Sequence, residues 1–305
     1  MKGNLTDPQI TSAVDLTEII SEIYKKKWLL LSFIVLFTGG GVFYALQLPN
    51  IYKSSALVLP VGDANSNPSS MKGLGGLAGL AGISLGEQSV SKTQMAIEIV
   101  KSRRFANDFI DKYDLLPKLM AVKGWNIQTR ELNFEEEIYD PVNRRWKFDE
   151  NSNMTLMPTM QQAYEVYKNI VSVKELGNGF VSVSALHQSP DLAKDIVGYL
   201  IEEVNKTIKS MDISEAENRI FYLESELKNA EVAEIKTMFY RLIEKHTETL
   251  TLANTREEYV FKTIDPALAP EKKEKPSRGV IVILAAVFGG LLGLIVIFIR
   301  YSSRR

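Results

Sequence analysis

Apolar positions fall into three kinds of run along this chain, and the period of each predicts a different element. Residues 28–48, WLLLSFIVLFTGGGVFYALQL, are 21 consecutive positions without a charge. At about 1.5 Å per residue, a helix of that length crosses the roughly 30 Å hydrocarbon core of a bilayer. Residues 280–299, VIVILAAVFGGLLGLIVIFI, do the same. The first run exceeds the h-region of a signal peptide and no A-x-A site follows it, so it reads as a retained anchor. Between the spans the pattern shifts. YKSSALVLPV (52–61) has the character of a strand beginning at the membrane surface. Residues 91–116 bring Met95, Ile99, Phe105, Phe109 and Ile110 back at roughly helical spacing. VSVKEL and FVSVSAL flank Gly177, Asn178 and Gly179, a hairpin signal, and EEYVFKTI (257–264) reads as a returning strand.

The longest pattern follows Ser189-Pro190-Asp191, a cap and first-turn proline that open a helix. No proline recurs until Pro266, and Gly198 is the one glycine in between. Ile220, Leu223, Leu227 and Ala230 keep a 3-4-3 spacing, which Ile235, Met238 and Leu242 resume after a stutter. One helix over 191–246 would be about 84 Å long. The alternative is two helices broken near Asp212-Ile213-Ser214, where Ser214 and Glu217 fit a capping box. In either form the apolar stripe needs a partner helix, from this chain or from a copy of it.

Charge near the spans divides on orientation. Lys25, Lys26 and Lys27 precede the first span and hold the N-terminal tail in the cytoplasm, whereas Lys272, Lys273, Lys275 and Arg278 precede the second. Long loops cross largely regardless of charge, so both tails are placed inside and 49–279 outside. The absence of cysteine suits an oxidising compartment, and a formal net charge of −1 gives no reason to invoke nucleic acid.

Candidate chemistry is sparse. In GLGGLAGLAGISLG (73–86), Gly73, Gly75 and Ala78 satisfy a dinucleotide fingerprint, but a Pro68-containing loop composition replaces the strand that should precede it. Glu135, Glu136, Glu137 and Asp140 are the spacing of a solvated face more than of a carboxylate pair. His187 and His246 are the only neutral-pH bases and stand beside no nucleophile or metal signature; the reading is a strand-end histidine and an exposed helical one. Trp125 and Trp146 fit either sugar stacking or core packing, and Arg103-Arg104 and Arg144-Arg145 fit either an anionic glycan or plain surface. No catalytic, cofactor or metal residues are assigned. Six residues after the second span leave no room for a signalling output.

In this order of features the chain resembles the polysaccharide co-polymerases, the chain-length determinants of the Wzz type, over 15–305. LHQSPDLAKDIVGYLIEEVN (186–205), LIEKHTETLTLA (242–253), EEYVFKTIDPALAPEKKEKPSRG (257–279) and the glycine-containing second span carry the resemblance. The membrane-proximal run Pro266, Pro270 and Pro276 is its best-known mark and stiffens the chain where it enters lipid. The resemblance implies an α+β fold: two transmembrane helices flanking a periplasmic α/β base domain, with a long extended helical arm over about 191–250. It implies homo-oligomeric rings that control how many repeats a Wzy-type polymerase adds to an undecaprenyl-linked glycan. The short C-terminal tail points to the lipopolysaccharide O-antigen branch in a bacterial inner membrane. The expected organisation is an N-terminal cytoplasmic tail (1–27), a span (28–48), a periplasmic domain (49–279), a second span (280–299) and a cytoplasmic tail (300–305).

Within that frame, Gly289 and Gly293 are assigned to helix packing in the second span, four residues apart so that backbones can approach. Ile220, Leu223, Leu227, Met238 and Leu242 are assigned to arm packing. Residues 73–86 remain either a packed segment near the membrane or a loop at the lipid surface. The competing function is a periplasmic sensor, receptor or adaptor subunit of an export system; an enzyme acting on the glycan lacks an acid/base constellation.

Overall fold

The computed structural model describes residues 24–61, 91–149 and 154–302. The glycine-rich stretch 73–86 lies outside the described residues. In chain order come α1 (Lys27–Gln47), β1 (Tyr52–Pro60), α2 (Lys92–Lys101), α3 (Arg103–Lys112) and α4 (Leu116–Met120). Three short hairpins follow: β2 (Val122–Asn126) with β3 (Glu131–Phe134), β4 (Tyr139–Asp140) with β5 (Arg145–Trp146), and β6 (Phe148–Asp149) with β7 (Met154–Thr155). The rest is α5 (Met160–Ile170), β8 (Val171–Glu175), β9 (Val181–His187), α6 (Pro190–Asn229), α7 (Ala233–Thr255), β10 (Phe261–Asp265) and α8 (Arg278–Ser302). Two compact units divide the chain: Met1–Asn50 with Glu274–Arg305, and Ile51–Lys273.

The first unit contains α1 and α8, which among the described residues are the two helices long and apolar enough to cross a membrane. They are packed antiparallel, with Gly41 beside Ala285, Gly289 beside Phe33 and Phe37, and Gly293 beside Leu30. Their outward faces remain apolar and uncovered, as at Leu36, Phe43, Leu284 and Leu291. Such surface suits hydrocarbon and not water.

The second unit is built on a four-stranded antiparallel sheet in the order β10-β1-β9-β8. β1 alternates between buried and exposed positions, with Tyr52, Ser54, Ala56 and Val58 buried and Lys53 and Ser55 exposed. The hairpin at 177–179 forms as expected, and Gly179 supplies the positive φ of +83° that the turn needs. Ile196, Val197, Leu200, Val204 and Ile208 of α6 join Val58, Val181 and Val183 of the sheet in the core, with Phe105, Phe109 and Ile110 of α3. Tyr167 of α5 is buried among them and donates its hydroxyl to the Val100 carbonyl at 2.9 Å.

Two helical expectations change. The segment 91–116 is not one periodic helix: Ser102 turns extended (ψ 148°), ends α2 and caps α3 by accepting from the Phe105 N–H at 3.2 Å. The buried set of α2 is therefore Ala96, Ile97 and Val100, with Met95 and Ile99 only half-buried. The long helix passes unbroken through Asp212-Ile213-Ser214 and stops at Asn229, giving 40 residues and about 60 Å. Ala230 and Val232 are extended, and α7 returns antiparallel beside α6, so that Lys209 Nζ donates to the Arg256 carbonyl at 3.1 Å.

Candidate functional site

Three parts of the molecule can carry function: the membrane pair, the arm, and the contacts that tie the arm to its base. In the membrane pair, a Cβ at Gly289 would lie 2.8 Å from Phe37 Cβ and 2.9 Å from the Phe33 carbonyl oxygen, and one at Gly41 would lie 2.5 Å from Ala285 Cβ. Only hydrogen fits at those crossing points. Gly293 meets the flexible end of Leu30 at 2.8 Å instead. Gly289 and Gly293 therefore both face the first span of the same chain. At one end of the pair, Arg278 donates to the Asn50 side-chain oxygen at 3.1 Å and lies 3.5 Å from the Leu48 carbonyl. Pro276 stands just before this arginine, and Pro266 and Pro270 belong to the extended segment after β10. The buried Ser54 hydroxyl donates to Leu268 O at 2.8 Å, which fastens that proline-flanked segment to β1.

The arm base is held by charged contacts from elements earlier in the chain. Lys92, at the start of α2, pairs with Asp212 at 2.6 Å, and the Tyr259 hydroxyl donates to the same carboxylate oxygen at 2.6 Å. Burial works against the Lys92 ammonium, but the hydrogen bond and charge of Asp212 outweigh it and hold its pKa above the ordinary lysine value. Burial, then Asp212, also raises the Tyr259 phenol. Lys112 pairs with Glu203, and Tyr113 donates to the same carboxylate at 3.3 Å while its ring stacks on Tyr199 at 4.2 Å. Burial and the Glu203 charge push the Tyr113 hydroxyl up to about 12. Arg130, in the β2–β3 turn, grips Asp191 in the first turn of α6 with two donors. These partners hold Asp212 from outside the helix, and α6 runs unbroken through Asp212-Ile213-Ser214 despite the Ser214–Glu217 capping-box pattern.

Along the arm, Leu223 is buried between the helices, and Ile220 and Leu227 are half-buried. Met238 and Leu242 of α7 are 51% and 37% exposed on the single chain, because Phe239, Ile243 and His246 take the more covered positions. The apolar stripe read across 220–242 is thus covered within the chain on α6 and left open on α7.

His187 is a strand-end histidine with a structural task. Its Nδ1 accepts from the Ser189 N–H at 2.9 Å, so Nε2 carries the proton and donates to Lys118 O at 2.9 Å. Burial holds its pKa below the usual value. The ring joins α4 to the turn whose Ser189 caps α6 by accepting from the Leu192 N–H at 3.2 Å. His246 is half-buried between α6 and α7. Asp140 is spent on a local turn, accepting from Val142 and Asn143, and Glu135 on Lys123 at 3.5 Å. Arg103 lies over the Tyr164 ring at 5.4 Å, Arg104 is on the surface beside Asp108, and Arg144 sits in the β4–β5 turn at φ +52°. Trp146 packs at the core edge against Tyr139 at 5.0 Å, whereas Trp125 lines a cleft. Among the described residues no group of His, Cys, Asp and Glu is placed to hold a metal.

The described residues define an α+β chain with two candidate membrane helices, in which an antiparallel helix pair and a sheet domain bearing a long helical hairpin are separate compact units. Residues 12–113 match the family model described as Wzz, chain length determinant protein. Over that stretch, about a third of the chain, it is similar to the Wzz chain length determinant proteins. Among curated proteins, no sequence matches the chain. Solved structures similar to it include a full-length bacterial polysaccharide co-polymerase, 10% identical, with a TM-score of 0.39 over 95% of this chain and 98% of that one. A fragment of WzzB, a polysaccharide co-polymerase from Salmonella Typhimurium, is 13% identical, with a TM-score of 0.29 over 74% of this chain and 100% of the fragment.

Proposed function

We propose that this chain sets the modal length of lipopolysaccharide O-antigen as an oligomeric scaffold in a bacterial inner membrane. Both tails lie in the cytoplasm, residues 49–279 in the periplasm, and the polymer is built by a separate Wzy-type polymerase on undecaprenyl-linked repeats. The observation that carries this reading is the antiparallel glycine-packed pair of membrane-length helices in a chain whose residues 12–113 are Wzz-like. Antiparallel spans bring both chain ends to one side, and the Lys25–Lys27 cluster favours the cytoplasm for that side. The arm fits a scaffold: about 60 Å of α6, braced at its base and with an apolar α7 face left for a second copy. Deletion of the gene, followed by gel analysis of the lipopolysaccharide ladder, tests it. Loss of the modal length with polymer still made is the expected result; an unchanged ladder overturns the reading.

A further inference from the structure

A cleft of about 780 Å³ opens between the β2–β3 hairpin and the first turns of α6, beside the Arg130–Asp191 contact that braces the arm base. Trp125 and Leu132 lie on one wall, Asp191 and Asp195 on the other. Trp125 comes just after a register shift between Val122 and Gly124, an irregularity of the kind that re-aims side chains relative to the partner strand. Its indole is half-buried, unlike a core tryptophan. The two-donor contact from Arg130 to Asp191 crosses from hairpin to helix, so the walls are braced before any ligand arrives. The side chains of Asn133 and Glu131 line the cleft and make no hydrogen bond or ion pair with the described residues.

We propose that this cleft is a saccharide subsite that takes one or two neutral or amino-sugar residues, with Trp125 as the stacking platform and Asp195 and Asn133 as hydrogen-bonding partners. The inference rests on the polysaccharide reading above. A pyranose offers an apolar C–H face and a rim of hydroxyls; a half-exposed indole covers the first, and carboxylate and amide groups meet the second. Charge narrows the class further. Glu131, Glu136, Asp191 and Asp195 face Lys118 and Arg130; Asp191 is neutralised by Arg130 and Asp195 has Lys194 at 3.9 Å, which leaves Glu131 and Glu136 against Lys118. The remaining excess of carboxylates repels a uronate and favours an uncharged or cationic sugar.

The test uses the full chain purified in detergent. The probe is uncharged oligosaccharide released by mild acid from the host's own lipopolysaccharide, with oligogalacturonate as the acidic comparison, and binding is read by saturation-transfer NMR. Wild type should bind the first and not the second. Trp125→Ala and Asp195→Ala should each weaken binding about tenfold or more, Trp125→Phe should retain most of it, and the remote Arg104→Ala should change nothing. Melting followed by circular dichroism separates lost binding from lost fold; if Trp125→Ala is unfolded, the surface variant Asp195→Ala decides. No binding by wild type, full binding by folded variants, or equal binding of oligogalacturonate overturns the subsite. A deletion that alters the ladder while the probe fails to bind sinks the subsite alone, whereas an unchanged ladder sinks the chain-length reading.

Discussion

The Asn205 side chain and the Phe261 backbone exchange hydrogen bonds in both directions. Asn205 Nδ2 donates to the Phe261 carbonyl at 3.0 Å, and Asn205 Oδ1 accepts from the Phe261 N–H at 2.9 Å and the Val260 N–H at 2.8 Å. Asn205 sits mid-helix on α6 and is 5% exposed, so these three backbone groups have no access to water in its place. One amide thus seats the start of β10, the strand that closes the sheet, against the helix that leaves it as the arm.

Replacing Asn205 with alanine strands those buried partners. At about 1 to 3 kcal/mol for each unsatisfied group, partly recovered by relaxation, a loss of roughly 3 kcal/mol is expected. The urea midpoint of the full chain in detergent should fall without loss of membrane insertion. A midpoint within experimental scatter of wild type would show that the pairing contributes nothing net.

The fold was most legible where one local rule suffices. The two charge-free runs, the strand character of 52–61 and the glycine turn at 177–179 each follow from a short window. The Asn205–Phe261 and Lys92–Asp212–Tyr259 contacts join residues 56, 120 and 47 positions apart, so no window contains both partners. The alternative break at Asp212-Ile213-Ser214 rests on a local capping-box match of Ser214 with Glu217 that these distant contacts override, and the real break at 230–232, which holds neither glycine nor proline, shows in the sequence only as the stutter between Ala230 and Ile235. On α7, Ile235, Met238 and Leu242 share a spacing, but within the single chain a neighbouring set, Phe239, Ile243 and His246, is the more covered. Gly289 and Gly293 stand out in the sequence as a small-residue pair, but no sequence window names the helix that lies beside them.

The glycines of the membrane pair should not be equivalent. Gly289→Ala drives a Cβ into backbone and Cβ atoms of α1, Gly293→Ala meets the movable tip of Leu30, and Gly290→Ala finds its nearest neighbour at an ordinary 3.8 Å. The expected order of disruption is Gly289 far above Gly293, with Gly290 silent. The chain has no cysteine, so an introduced Ile34→Cys and Gly290→Cys pair reports the packing by crosslinking in membranes. Equal crosslinking with Gly289→Ala and with wild type would remove this glycine from the α1–α8 contact.

His187 gives the protein a pH-dependent element. Its folded pKa lies below the unfolded value because burial disfavours the charged ring, and protonation of Nδ1 would set N–H against the Ser189 N–H. The stabilisation is therefore complete above the unfolded histidine pKa of about 6.5 and is lost as pH falls from there through the folded pKa. The melting temperature of wild type should drop more between pH 7.5 and pH 5 than that of His187→Gln, which carries no titrating ring. Parallel profiles for the two proteins would refute the assignment.

The arm separates packing within a chain from packing between copies. Leu223 is 8% exposed, so Leu223→Ala should cost about 2 to 4 kcal/mol of arm stability through the cavity it leaves. Met238→Ala and Leu242→Ala remove side chains that the single chain leaves open, and should shift its stability by less than about 0.5 kcal/mol. An exposed apolar stripe on a helix of 23 residues is poorly suited to water and suits the flank of a second arm. The α7 double variant should therefore keep its melting temperature, lose chemical crosslinking between copies in membranes, and shift or erase the modal length while total polymer persists. Leu223→Ala should lower stability first and change the ladder only as far as folded protein is lost. Normal crosslinking and an unchanged ladder in the α7 double variant would show that the open stripe is not an assembly surface. If the variant is folded and assembled yet makes no polymer at all, a scaffold that only sets length is the wrong description, and a direct part in polymerisation takes its place.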